Sequence, residues 1–218
     1  PGETLYVEID GGMVFIDREW KEVKVAIAFP SSDRVEVAKD RKELLHRRFC
    51  ATLDTRAELG QQVYAMVEPY LPKRADGAPI IEGNVVVLAD GAPWIKNLVE
   101  EVLPGAMILL DWYHVSEHVA EAAMALHPEN PTQRKSWCTR QMNLLDRGEA
   151  ATLLRRLGNL SMRLEAGSDK QEAVAALYRY LEERKNHLRY AYARNEGLDV
   201  VHGAFDYAAA YVQPLVSG

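Results

Sequence analysis

Apolar and polar positions alternate along Leu5 to Asp10 (Leu5, Val7, Ile9) and again along Val23 to Phe29 (Val23, Val25, Ile27, Phe29). A period of two is that of a strand with one apolar face, so two strands are expected, with Gly11-Gly12 and Asp17-Arg18 as the turn between them. A short strand over Arg34 to Ala38 would complete a meander. From Lys42 to Tyr70 the residues Leu44, Leu45, Phe49, Leu53, Leu59, Val63 and Val67 recur near a 3.6-residue period. That spacing predicts a helix, ended where Pro72 to Pro79 breaks the pattern.

Two unbroken apolar runs of strand length follow, Val85 to Asp90 and Ala106 to Asp111, separated by a helical stretch from Pro93 to Leu103. Unbroken runs mark strands buried on both faces, and their spacing suits a right-handed βαβ unit. After His114 the strand signal stops. Val115 to Arg194 reads as several amphipathic helices punctuated by Pro128, Pro131, Gly148 and Gly167-Ser168, with Leu144, Leu145, Leu153, Leu154, Leu157, Leu160 and Leu164 forming core stripes. The expected class is therefore α/β, a mixed sheet with helices on it, followed by an all-helical part.

Composition adds constraints. The 218 residues include 48% apolar side chains, enough for one compact domain or a core plus an insertion. Lys and Arg number 26 against 32 Asp and Glu, a formal charge of −6. That balance excludes a freestanding basic DNA-binding module but not an enzyme that meets DNA through cations held by carboxylates. The surplus is local: residues 1–111 carry 13 basic and 19 acidic side chains, residues 112–218 carry 13 of each. Cys50 and Cys138 form no CxxC pair, so neither a disulfide framework nor a zinc knuckle is indicated, and a reducing, cytoplasmic setting is expected. No apolar run is long enough to span a bilayer, and PGETLYVEID lacks the pattern of a signal peptide, so no membrane partner is expected. The opening Pro1-Gly2 reads as the start of a region excised from a longer chain.

Three aspartates share a placement: Asp10, Asp90 and Asp111 each end a strand-like run. Ligands of open α/β sheets bind beyond the carboxyl ends of parallel strands, so Asp90 and Asp111 should lie close together, with Asp10 beside them if its strand is central. Clustered carboxylates repel unless a cation offsets them, and paired divalent ions are the recurrent solution for phosphodiester chemistry. Taken singly, each Asp could instead cap a helix or begin a turn. A second signal, His114, Glu117 and His118, matches the inverted zincin pattern H-x-x-E-H of a zinc metallopeptidase, which needs a distant third ligand such as Glu182 or Glu183. A third, Val7 to Gly12 with Leu88 to Gly91, loosely resembles haloacid-dehalogenase-type phosphatases, but Glu8 occupies the position where those enzymes carry the Asp nucleophile. No G-x-G-x-x-G or Walker loop is present.

Together, Tyr6-Val7-Glu8-Ile9-Asp10-Gly11-Gly12-Met13-Val14, Trp20-Lys21-Glu22-Val23-Lys24, Val87-Leu88-Ala89-Asp90-Gly91-Ala92-Pro93-Trp94-Ile95 and Leu110-Asp111-Trp112-Tyr113-His114 resemble the catalytic domain of bacterial insertion-sequence transposases of the ISKra type, in the Mutator-like group of DDE transposases. The resemblance covers nearly the whole chain in order. It implies a ribonuclease-H-like mixed sheet flanked by helices over residues 1–114, an all-helical insertion over 115–195 after the last core strand, and a C-terminal segment, 196–218, returning to the core.

The resemblance further implies that Asp10 and Asp90 are metal-binding carboxylates for two Mg²⁺ or Mn²⁺ ions. Asp111 would support them, and His114 would contact DNA or orient a scissile phosphate. The family ends with a stretch like Gly-Leu-Pro-Ile-Gly-Ser-Gly-x-x-Glu, whose Glu completes the triad; here Asp206 falls at that position in Gly197-Leu198-Asp199-Val200-Val201-His202-Gly203-Ala204-Phe205-Asp206. The expected partners are DNA, as transposon ends and target, and further copies of the chain. Reading of DNA sequence would fall to a separate N-terminal domain. The alternatives are a catalytically impaired remnant that binds DNA or protein, and the zinc metallopeptidase.

Overall fold

The structure is a computed structural model that describes residues 3–38 and 41–198. Strands β1 (Leu5–Ile16) and β2 (Glu19–Pro30) form a long antiparallel ribbon in register from Leu5 opposite Pro30 to Ile16 opposite Glu19. The turn is Asp17-Arg18 alone, with φ of 55° and 66°. Positive φ at both central residues is the geometry of a two-residue turn whose twist matches the flanking strands. Gly11-Gly12, expected in the turn, instead lies inside β1 opposite Lys24 and Val23. The strands outrun the buried alternation because Met13, Phe15 and Trp20 continue it on an exposed ribbon, where Phe15 and Trp20 pack 5.4 Å apart.

The segment after β2 departs further from expectation. Strand β3 (Arg34–Ala38) forms as predicted but pairs with β4 (Arg41–Leu44) in a separate two-stranded sheet. The meander is completed by β5 (Arg48–Thr52), which runs antiparallel to β2 with Cys50 opposite Ala26. The helix predicted from Lys42 thus shortens to α1 (Arg56–Val67). Leu45, Phe49 and Leu53 are all exposed, so their helical spacing marks no buried stripe. The true start is set by Thr55, whose hydroxyl accepts the Glu58 amide at 3.3 Å, an N-cap that satisfies one orphan donor of the first turn.

Strand β6 (Val85–Ala89), helix α2 (Pro93–Val102) and strand β7 (Met107–Leu110) follow the predicted order. The main sheet runs β5-β2-β1-β6-β7, with β1 antiparallel to β2 and parallel to β6. It is a mixed open sheet. One face, with Leu5, Val7, Ile9, Ala28, Val85 and Val87, packs in one core with Leu59, Val63 and Val67 of α1 and Ile95, Leu98 and Val99 of α2. Each fully buried aliphatic of this kind stabilises by about 1.5–3 kcal/mol. The other face is buried as well: Tyr6, Ile27, Phe29, Val86 and Leu88 are hidden, and the Tyr6 and Phe29 rings stack at 5.5 Å.

The described residues divide into two compact units, 3–108 and 109–198. The second unit contains α3 (Trp112–Leu126), α4 (Pro131–Asp146), α5 (Ala150–Arg163), α6 (Asp169–Glu183) and the short α7 (Tyr190–Asn195). Asp111, Asn130 and Ser168 cap α3, α4 and α6 through their side chains. The leucine stripes are core, as expected: Leu145, Leu153 and Leu157 are buried, as are Val174, Leu177 and Leu181 of α6. Among the described residues no helix is long and apolar enough to cross a membrane.

Candidate active site

Residues Leu5 to Ile9 of β1 pair in parallel with Val85 to Ala89 of β6, rung by rung, so that Ile9 lies opposite Ala89. Asp10 and Asp90 are the next residues on each chain. Paired strands lie about 4.8 Å apart, and side chains one residue beyond a shared rung fall on the same side of the sheet. The register therefore brings the two aspartates together at the carboxyl ends of neighbouring parallel strands, the position expected for them from sequence. Both are half-buried.

Each carboxylate is oriented by its own loop. Asp10 accepts the Gly11 amide through Oδ1 at 2.7 Å, and Asp90 accepts the Ala92 amide through Oδ1 at the same distance. The second bond needs a tight turn at Gly91, whose φ of 87° favours glycine. The loops also meet: a Cβ built on Gly11 would lie 3.5 Å from the Trp94 indole and 3.1 Å from the Glu22 carboxylate. The Asp-Gly of β1 and the Asp-Gly-Ala-Pro-Trp after β6 are thus two sides of one construction, with Trp94 against the backbone that carries Asp10.

Glu8 was assigned no role from sequence beyond its failure to be a nucleophilic Asp. It is 2% exposed and lies two residues before Asp10 on the same sheet face, opposite Ile27 on β2 and Leu88 on β6. Its cross-strand neighbours are aliphatic, and burying a carboxylate is costly unless it finds a partner. The signal that could have found it is an acid at an in-facing position of an otherwise apolar strand face.

The Asp111 element belongs to the second unit, where it begins a helix. Asp111 Oδ1 accepts the amides of Tyr113 at 2.6 Å and His114 at 3.1 Å, capping α3, and lies 3.6 Å from His114 Nδ1. Burial pushes the Asp111 carboxyl up, but the nearby His114 ring and the hydrogen bonds from the two backbone amides outweigh it and hold the group below its usual range. The element is locked from behind. Tyr190 donates its phenol to the Leu110 carbonyl at 3.0 Å, the Trp112 ring meets Tyr190 edge-on at 4.9 Å, and Arg194 covers Trp112. Burial, with the nearby Tyr180 and Asp111, pushes the Tyr190 hydroxyl well above its ordinary value, so it stays a donor across the physiological range.

His114, Glu117 and His118 lie on α3, one helical turn holding both histidines. His118, however, contacts Glu121 through Nδ1 at 3.2 Å and packs on Tyr180 at 4.0 Å. The suggested third ligands are occupied too: Glu182 pairs with Lys185 at 2.6 Å and Glu183 with Arg184 at 3.0 Å. Among the described residues no group of three or more His, Cys, Asp or Glu side chains is arranged to hold a metal ion. Asp206 lies outside the described residues.

Asp10 and Asp90 suit a hard divalent cation in donor chemistry: two oxygen ligands, half-buried, each fixed by a backbone amide. Burial pushes the Cys50 thiol up to about 11 and raises that of Cys138, so neither is an activated thiolate nucleophile.

Residues 2–204 match the model of an uncharacterised protein family, UPF0236, and the chain belongs to that family. No curated protein matches it.

Proposed function

We propose that this member of UPF0236 is the catalytic domain of a DDE-type DNA transposase with a ribonuclease-H-like fold, cleaving and joining phosphodiester bonds with Mg²⁺ or Mn²⁺. The observation that carries the reading is the parallel register of β1 and β6, which sets Asp10 beside Asp90 at the sheet's carboxyl edge. The strand order β5-β2-β1-β6-β7 followed by a helical unit supports it, as does the resemblance of the four sequence blocks to ISKra-type transposases.

Asp10 and Asp90 would hold the cations, with Asp206 as third carboxylate. Bound there, divalent ions supply activation of a water or a DNA 3′-hydroxyl and stabilisation of the leaving oxygen in an in-line displacement. The chain's own contribution is orientation. The Gly11 and Ala92 amides fix one oxygen of each carboxylate, and Trp94 packs on the Gly11 backbone so that the two loops keep their spacing. Ligands held in this way need no reorganisation when the phosphate arrives. His114, at the amino end of α3, would contact a DNA phosphate, and Asp111 positions its ring and backbone. Self-association would bring two element ends together.

The test is nicking and strand transfer on DNA with Mg²⁺ or Mn²⁺. Asp10→Asn and Asp90→Asn each remove one ligand charge. Each should lower the rate on the order of 10³-fold, several kcal/mol of transition-state stabilisation, with the fold intact by circular dichroism. Full activity in either variant refutes the assignment.

A further inference from the structure

We propose that the α4–α5 hairpin is a docking site for the DNA sugar-phosphate backbone, with one phosphate seated between Arg140 and Arg156. It takes DNA as ligand from the function proposed above, but the observations that carry it lie wholly in the helical unit and involve none of the carboxylates.

The first observation is charge. Residues 112–218 are neutral as a whole, yet 131–163 carry seven basic side chains (Arg134, Lys135, Arg140, Arg147, Arg155, Arg156, Arg163) and two acidic ones (Asp146, Glu149). Asp146 is paired with Arg194, outside the hairpin. Among the described residues no carboxylate lies within ion-pair distance of any of the seven. The other long helices of this unit carry no basic surplus: α6 sets Asp169, Glu172, Glu182 and Glu183 against Lys170 and Arg179, and α3 has Glu117 and Glu121 with no Lys or Arg. A patch of net +5 on a chain of net −6 is segregated, not average.

The second is shape. Arg140 and Arg156 line one cleft of about 220 Å³ with Trp137, Gln141, Leu157 and Leu160. Residues 137, 140 and 141 form one turn of α4, and 156, 157 and 160 one turn of α5, so two helix faces meet with a guanidinium on each. The apolar floor is rigid: Trp137 and Leu157 are buried, and the buried Gln141 amide donates to the Trp137 carbonyl at 3.0 Å. Arg140 is braced by a 3.0 Å bond to Ser136. Two like charges over an apolar floor repel until an anion enters, and the planar guanidinium fork fits a phosphodiester.

The third is the surroundings. At 16 residues α4 is about 24 Å long, enough to follow a DNA backbone that carries one negative charge per roughly 1.7 Å of duplex. Its exposed positions include Thr132, Gln133, Ser136, Thr139 and Asn143 among the cations. Hydroxyl and amide groups of this kind hydrogen-bond phosphates, whereas a membrane-binding helix would show large apolar side chains there.

The experiment is a fluorescence anisotropy titration of a labelled 30-base-pair duplex with the full chain in EDTA, repeated between 50 and 200 mM KCl. The double variant Arg140→Gln/Arg156→Gln should bind at least 10-fold more weakly at 100 mM. Its slope of log K against log salt should flatten by about 0.9, the value for one lost phosphate contact. Lys73→Gln, in the sheet unit and paired with Glu68 in the native protein, should bind as the native chain does. The inference is overturned by no native binding, by a native slope in the double variant, by an equal loss from Lys73→Gln, or by polyglutamate displacing the duplex at equal charge. Thermal melts establish that the variants are folded. Because EDTA removes metal chemistry, binding in EDTA with no cleavage once Mg²⁺ or Mn²⁺ is supplied would sink the proposed function alone, and metal-dependent cleavage with an unchanged salt slope in EDTA would sink this inference alone.

Discussion

The sheet unit and the helical unit place their key residues by different physical means. In the sheet unit the backbone does it: the β1–β6 register sets Asp10 level with Asp90, and a slip of one residue would turn one of them to the opposite face. In the helical unit side chains do it. Asp111 caps α3, Tyr190 holds the Leu110 carbonyl, and Trp112 is clamped between Tyr190 and Arg194. The charges also separate, with the acidic surplus in residues 1–111 and a basic hairpin in 131–163. A net charge of −6 conceals both. On the function proposed above, the first unit would hold cations and the second a phosphate, as an enzyme acting on a polyanion with metal ions requires.

The largest expected effect breaks that division of labour. Asp90→Asn should abolish metal-dependent nicking on the order of 10³-fold while leaving duplex binding in EDTA unchanged. Arg140→Gln/Arg156→Gln should do the reverse at saturating DNA, weakening binding with little change in maximal rate. If both variants lose both activities equally, the two units do not divide the work. Smaller is the cost of a cavity in the helical core: Leu157 is 1% exposed, so Leu157→Ala should lose about 2–5 kcal/mol in urea unfolding. An exposed neighbour on the same helix, Arg155→Ala, should change stability by less than about 0.5 kcal/mol.

The sheet half was legible where burial wrote the pattern. Val85–Ala89 and Leu5–Ile9 are buried residue by residue, and their strands, with α2 between β6 and β7, lie where periodicity puts them. The pattern misled where side chains are exposed. Leu45, Phe49 and Leu53 mimic a helical stripe while belonging to β5 and the segments flanking it, and the Thr55-x-x-Glu58 spacing was the better marker of the α1 start. Gly11-Gly12 looked like a turn because the buried alternation ends there, yet backbone pairing continues to Ile16. At the site, strand ends pointed to Asp10 and Asp90, but the packing of Trp94 on Gly11 and the burial of Glu8 depend on neighbours distant in the chain.

A pH-dependent effect sharpens the contrast, because it isolates the charge that side-chain placement adds in the helical unit. The Asp111 carboxyl is held below its ordinary value of 3.8, so its ionised form contributes stability that is fully present above that value and is lost as pH falls through the lower folded value. Asp111→Asn keeps an acceptor for the Tyr113 and His114 amides but no charge near His114, whereas Asp111→Ala loses the cap altogether. At pH 7 the alanine variant should unfold about 1 kcal/mol more easily than the native chain, with asparagine between them. Below pH 3.8 the native chain should converge on the asparagine variant as its own carboxyl protonates, while alanine stays apart. Urea unfolding of the three chains between pH 2.5 and 7 measures this directly. A native-to-asparagine gap that persists unchanged at low pH would mean that Asp111 acts through geometry alone, which would make the helix cap the whole of its structural role.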